Sequence, residues 1–101
     1  MPRPEFITNE DISRWSENLD NDENLSEALR QNPVIREVCY AGIWLYEELE
    51  KLLCPPEMIT RIQYTAGKLS FGRDPWVVHQ EMVQAYQDNT LDYEVDPAEL
   101  N

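Results

Sequence analysis

Nine consecutive residues, Val38 to Tyr46, carry no charge in a chain that is otherwise strongly acidic. Arg36-Glu37 precede the run, and Glu47-Glu48-Leu49-Glu50-Lys51 follow it. A helix that is apolar on every side has to be covered on every side, so this run predicts the central element of the fold. Asn32-Pro33 supplies its start, with Asn as N-cap and Pro at the first helical position. Cys54-Pro55-Pro56 supplies its stop, because a residue before proline is pushed out of the α region. The central helix is therefore expected over about residues 33–53. Val34, Ile35, Val38, Leu45, Leu49 and Leu52 form its seam, with burial widening to the full circumference in the middle. Gly42 lowers helix propensity by about 1 kcal/mol. Close approach of a crossing helix is its expected use, so overpacking by Gly42→Leu would destabilise.

Similar punctuation sets out the other helices. Thr8 and Asp11 form a capping box with Ile7 and Ile12 as its staple, opening a helix over residues 9–19 that buries Ile12, Trp15 and Leu19. Asp22 or Asn24 caps a short second helix with Leu25, Ala28 and Leu29 inward. Pro56 opens a fourth helix with Met58, Ile59, Ile62, Ala66 and Leu69 inward, ended by Gly72 as a left-handed cap. Asp74-Pro75 opens a fifth that runs to Gln87, packing Trp76, Val77, Val83 and Tyr86, with Met82 at its side. The expected fold is all-α: a compact bundle of four to five helices around the central one, with an extended acidic C-terminal segment. The domain spans 1–87 and the tail 88–101. Val38, Gly42, Leu45, Trp15 and Trp76 are its expected core anchors.

Charge narrows the functional classes. Twenty acidic residues stand against eight basic ones, a net charge of −12, and no Lys or Arg follows Arg73. Phosphate neutralisation needs clustered Lys and Arg, so direct nucleic-acid binding is not expected. An anionic membrane surface is disfavoured for the same reason. No apolar run approaches the ~20 residues of a membrane span, and Met1-Pro2-Arg3-Pro4-Glu5 does not open a secretory signal. A cytoplasmic setting follows, in which Cys39 and Cys54 are free buried thiols.

Recognisable chemistry is sparse. His79 is the only histidine, and Glu81, two residues on, points to another side of the same helix. Asp20-x-Asp22-x-Asn24 opens like a calcium loop, but Leu25 stands where Gly is needed and Gln31 where a bidentate Glu belongs. Glu47 and Glu50 match the first half of the Glu-x-x-Glu and Glu-x-x-Asp pattern with which all-α nucleotide pyrophosphohydrolases hold magnesium. The second half is missing, since Glu57 is followed at +3 by Thr60 and Glu81 by Gln84. No cofactor is expected.

The tail alternates Leu91, Tyr93 and Val95 with Asp92, Glu94 and Asp96, a period of two that suggests extended chain. As a docking segment, these six residues would enter a partner's groove or add to its sheet edge. As part of the fold, the apolar three would cover the protein's own helices. The functional expectation is a small acidic interaction or regulatory module that binds a basic protein surface, with self-association as a homodimer an option. Its most specific form is a nucleic-acid mimic or inhibitor. The alternative from another class is a small metal-dependent nucleotide phosphohydrolase using Glu47 and Glu50.

Overall fold

A computed structural model of the chain describes residues 3–91. Five helices and no strand lie in that range: α1 (Asn9–Asp20), α2 (Glu27–Arg30), α3 (Pro33–Lys51), α4 (Pro56–Leu69) and α5 (Pro75–Gln87). The protein is an all-α bundle. α3 touches each of the other four helices, and α4 and α5 pack on one another beside it.

The caps show why the helices begin where they do. Thr8 Oγ1 accepts from the Asp11 amide at 3.1 Å, and Asp11 Oδ2 accepts from the Thr8 amide at 3.0 Å, closing the capping box. Asn32 Oδ1 accepts from the amides of Val34 and Ile35, and Asp74 Oδ1 from those of Trp76 and Val77. Each acceptor satisfies amides that have no partner inside the helix. For α2 the cap is Ser26, which accepts from Leu29, in place of Asp22 or Asn24. This single turn is held less by burial than by Arg30, whose guanidinium donates to the carbonyls of Asp20, Asp22 and Leu25. Ala28 and Leu29 are accordingly exposed and Leu25 is half-buried.

Two apolar clusters meet along α3. Leu45, Leu49, Ile59, Ile62, Ala66, Val78, Met82 and Val83 fill the space between α3, α4 and α5. Trp15, Leu19, Tyr40, Ala41 and Trp76 fill the space between α1, α3 and the start of α5. Trp44 packs against both. Of the residues named as core anchors, Trp15, Trp76 and Leu45 are buried, whereas Val38 and Gly42 are only half-buried.

Burial of the charge-free run is not circumferential. Tyr40, Ala41 and Leu45 are buried, but Tyr46 is exposed and Val34, earlier in the expected seam, is 52 % exposed. Neighbouring helices cover part of α3 and leave an open side. Gly42 lies where a Cβ would meet no atom within 4 Å. The close crossing expected there is absent. Gln63 of α4 instead reaches across and donates to the Gly42 carbonyl at 2.9 Å, so a long polar side chain bridges the helices. On α4, Met58 is exposed while Ile59, Ile62 and Ala66 carry the contact. On α5 the buried stripe is Pro75, Trp76, Val78, His79, Met82 and Val83, with Val77 turned outward. Its spacing of three and four follows the helical period more closely than the face expected through Val77.

Helix ends depart from glycine logic. No described glycine has a positive φ, so Gly72 is not a left-handed cap. The Ser70 hydroxyl donates to the Ala66 carbonyl at 2.7 Å, and the Phe71 and Gly72 amides bond to Lys68 and Leu69, satisfying that end without a left-handed residue. Left-handed residues occur instead at Leu53 (φ 60°) and Asn89 (φ 55°). Behind each, two crossed bonds close a Schellman motif: Leu53 to Glu50 and Cys54 to Leu49, then Asn89 to Tyr86 and Thr90 to Ala85. Asparagine tolerates this conformation. Leucine does so at a cost of about 1–2 kcal/mol.

Leu53 is 89 % exposed, so its side chain gives little in return. Leu53→Gly is expected to raise the unfolding free energy by about 0.5–1 kcal/mol, after the added freedom of the unfolded chain is counted. Gly42→Ala should add up to ~1 kcal/mol through helix propensity alone. Urea midpoints check both; a lower midpoint for either variant would contradict the local geometry behind it.

Candidate interaction surface

Every described arginine except Arg61 is hydrogen-bonded to a carboxylate or a backbone carbonyl, and those bonds decide which acidic groups remain free. Glu37 on α3 sits at the centre of one knot. Arg3 Nε donates to both Glu37 oxygens, at 3.0 and 3.2 Å, and Trp76 Nε1 donates to Glu37 Oε2 at 2.8 Å. Glu47, nearly three turns further along α3, repeats the arrangement. It accepts from Arg14 Nη2 at 2.8 Å and from Trp15 Nε1 at 3.3 Å. Arg36 pairs with Asp20 and donates to the Tyr40 hydroxyl, Lys51 pairs with Glu48, and Arg73 with Glu81.

Between those knots lies an aromatic chain. Trp15 and Trp76 have ring centroids 6.3 Å apart, Trp44 meets Trp76 edge-on at 6.3 Å, and Phe6 covers Trp44 at 5.6 Å. A hollow of about 290 Å³ opens beside Phe6 and Trp44, between α1 and α3. The charged groups on its wall are already paired, Arg14 with Asp11 and Glu47, and Lys51 with Glu48. It therefore offers no set of unengaged polar groups to orient a small ligand.

The sequence-derived candidates fall in different places. Glu47 is committed to Arg14 and Trp15, Glu50 is exposed, and among the described residues no group of three or more His, Cys, Asp or Glu side chains could hold a metal ion. Leu91 is half-buried against the α3–α4–α5 cluster. Asp92, Tyr93, Glu94, Val95 and Asp96 lie outside the described residues. Cys39 and Cys54 are free, and burial pushes both thiols up from their ordinary value. No described helix is long and apolar enough to cross a membrane.

A group the sequence reading passed over is a set of acids on α1, α2 and the turn between them. Glu10, Glu17, Asp22, Glu23 and Glu27 are all exposed and form no ion pair among the described residues. Composition revealed the surplus of acids. It could not reveal this location, because the basic residues are paired with acids 16 to 34 positions away at three of the bridges.

No known protein family, curated protein or solved structure matches the chain.

Glu37 carries a structural load that can be measured. Glu37→Ala leaves the indole N–H of Trp76, a residue 1 % exposed, without its acceptor, which costs about 1–3 kcal/mol. Glu37→Gln keeps an acceptor and should lose less in urea unfolding. Equal midpoints for all three proteins would show that this bond contributes nothing.

His79 adds a pH dependence. It is buried, with Nδ1–H donating to the Pro75 carbonyl at 2.6 Å, and burial holds its pKa below the ordinary value of 6.5. In the unfolded chain it takes up a proton near pH ~6.5, so its contribution to stability is full above that pH and is lost as pH falls through the lower folded pKa. Asp11, held low chiefly by the Thr8 amide, acts in a separate window below its ordinary value of 3.8. Unfolding free energy should therefore fall from pH ~7 to pH ~5, and His79→Gln should flatten that slope. A parent protein equally stable across this range would contradict the assignment.

Proposed function

We propose that this protein is a small acidic interaction or regulatory module that docks on a basic surface of another protein. The observation that supports the reading is the separation of its charges. Nearly all its cations are spent on internal bonds, while Glu10, Glu17, Asp22, Glu23 and Glu27 stand exposed on α1–α2 without ion pairs among the described residues. A surface of one sign steers an oppositely charged partner and raises the association rate more than the affinity. Each exposed pair formed on docking is worth only about 0–1 kcal/mol, so several must act together. In its most specific form the module occupies the nucleic-acid groove of a basic enzyme as a mimic, and duplex DNA would then compete with it.

The test is kinetic. With a basic partner recovered by affinity capture, association should slow about tenfold between ~0.05 and ~0.3 M salt. Replacing Glu10, Glu17, Glu23 and Glu27 together by Gln should produce a similar loss at low salt and leave Tm unchanged. Association that ignores both salt and these substitutions would reject the reading.

A further inference from the structure

The chain reaches its first helix by way of a strap, residues 3–7, laid along α3. Arg3 and Phe6 make its contacts. Arg3 Nε donates to both Glu37 oxygens, and the guanidinium carbon stands 5.7 Å from the centre of the Tyr40 ring. Phe6 lies on Trp44, with ring centroids 5.6 Å apart. Glu37, Tyr40 and Trp44 are spaced by three and four residues, so they form one stripe of α3. That stripe offers a carboxylate and a ring to a guanidinium, then an indole to an aromatic residue three positions on. A carboxylate takes the planar guanidinium fork in two bonds and an aromatic face attracts it, a pairing that lysine does not reproduce.

The strap is lightly held. Its only backbone bond joins two of its own residues, the Ile7 amide to the Pro4 carbonyl at 3.1 Å, and among the described residues none reaches a helix. The Arg3 side chain is 40 % exposed and Phe6 is 54 % exposed. Ion pairs and cation–π contacts so open to water contribute little net stability. The groups beneath are different in kind. Tyr40 is buried, and Glu37 is fixed by the indole N–H of buried Trp76. The seat is thus preorganised, while its occupant is tied down only by side chains. Beyond Phe6 the stripe continues into the hollow beside Trp44, towards Glu47 and Glu48. The strap does not fill that hollow, because the chain turns at once into α1.

We infer that the Glu37–Tyr40–Trp44 stripe recognises a peptide segment in which an arginine is followed three residues later by an aromatic residue. Residues 3–6 of this chain occupy the stripe in cis, as an autoinhibitory stand-in for that segment of a partner. A tethered strap competes at an effective concentration in the ~mM range and lowers the apparent affinity by the fraction of time it is docked. A partner segment makes the same contacts and also extends into the hollow, which gives it the advantage needed to displace the strap. The inference stands apart from the α1–α2 face proposed above and does not require it.

Peptide binding to the full chain tests it. The probe is an acetylated, amidated peptide with the sequence of residues 3–8, followed by tryptophan emission and by the indole N–H resonances of Trp44 and Trp76. Arg3→Ala with Phe6→Ala vacates the stripe, and this variant should bind the peptide about tenfold or more tightly than the parent, whose strap competes. Arg3→Lys or Phe6→Ala within the peptide should each weaken binding about tenfold. Adding Glu37→Gln to the vacated chain keeps an acceptor for Trp76 and should weaken binding by a similar factor. Equal affinity of the parent and vacated chains, or affinity indifferent to Glu37→Gln and to the peptide changes, would overturn the inference. So would a vacated chain that no longer unfolds cooperatively, since the strap would then be part of the core. A parent that sediments as a dimer, beside a monomeric vacated chain, would assign the stripe to the strap of a second copy and overturn the cis arrangement.

Discussion

Two indole N–H groups lie beside α3, and both must be given acceptors where the helices close. Trp76 finds Glu37 and Trp15 finds Glu47, each carboxylate also holding an arginine from the N-terminal part of the chain. A buried donor left unpaired costs more than a typical bond contributes, so these contacts fix how α1 and α5 sit on α3. Aromatic packing then adds to what the hydrogen bonds position. Trp76 touches both Trp15 and Trp44, and such pairs contribute about 0.5–1.5 kcal/mol beyond the area they bury.

The same bonds shape the surface. A chain with few cations that commits most of them to internal bonds has little left to neutralise the acids facing outward. Structural and functional roles of charge are therefore coupled: each arginine drawn to Glu37, Glu47, Asp20 or Glu81 leaves the α1–α2 face more nearly uniform in sign. Residues 55–73 differ from this background in composition, holding Arg61, Lys68 and Arg73 against Glu57 alone. Steering depends on such segregation, since interspersed charges cancel within a Debye length.

Much of the architecture was legible in the chain. Thr8, Asn32 and Asp74 mark helix starts because capping is a local event between residues two or three apart. The prolines at 33, 56 and 75 work the same way, through the fixed φ of one ring. Misreadings arose where a residue's role depends on what approaches from elsewhere. Gly42 suggests close packing only if another backbone comes near, and none does: the Gln63 side chain bonds its carbonyl, while the space where a Cβ would stand is open. Val77 and Met58 are apolar and helical, but rotation of their helices against α3 turns them to solvent. Leu53 is left-handed because Cys54 and Pro55 must turn the chain at once into α4, a demand its own side chain does not announce.

The sequence by itself determined the number and order of the helices, the central place of α3 and the acidic surplus, because these follow from composition, capping and helical period. Tertiary structure alone decided which acids are free. Glu37 and Glu47 look no different along the chain from Glu17 or Glu27. The first two lie within reach of indoles and guanidiniums from 32 to 39 residues away, and the others face water. Electrostatic pairing is a matter of distance in space, which local propensity does not encode, and for that reason the candidate surface emerged only with the fold.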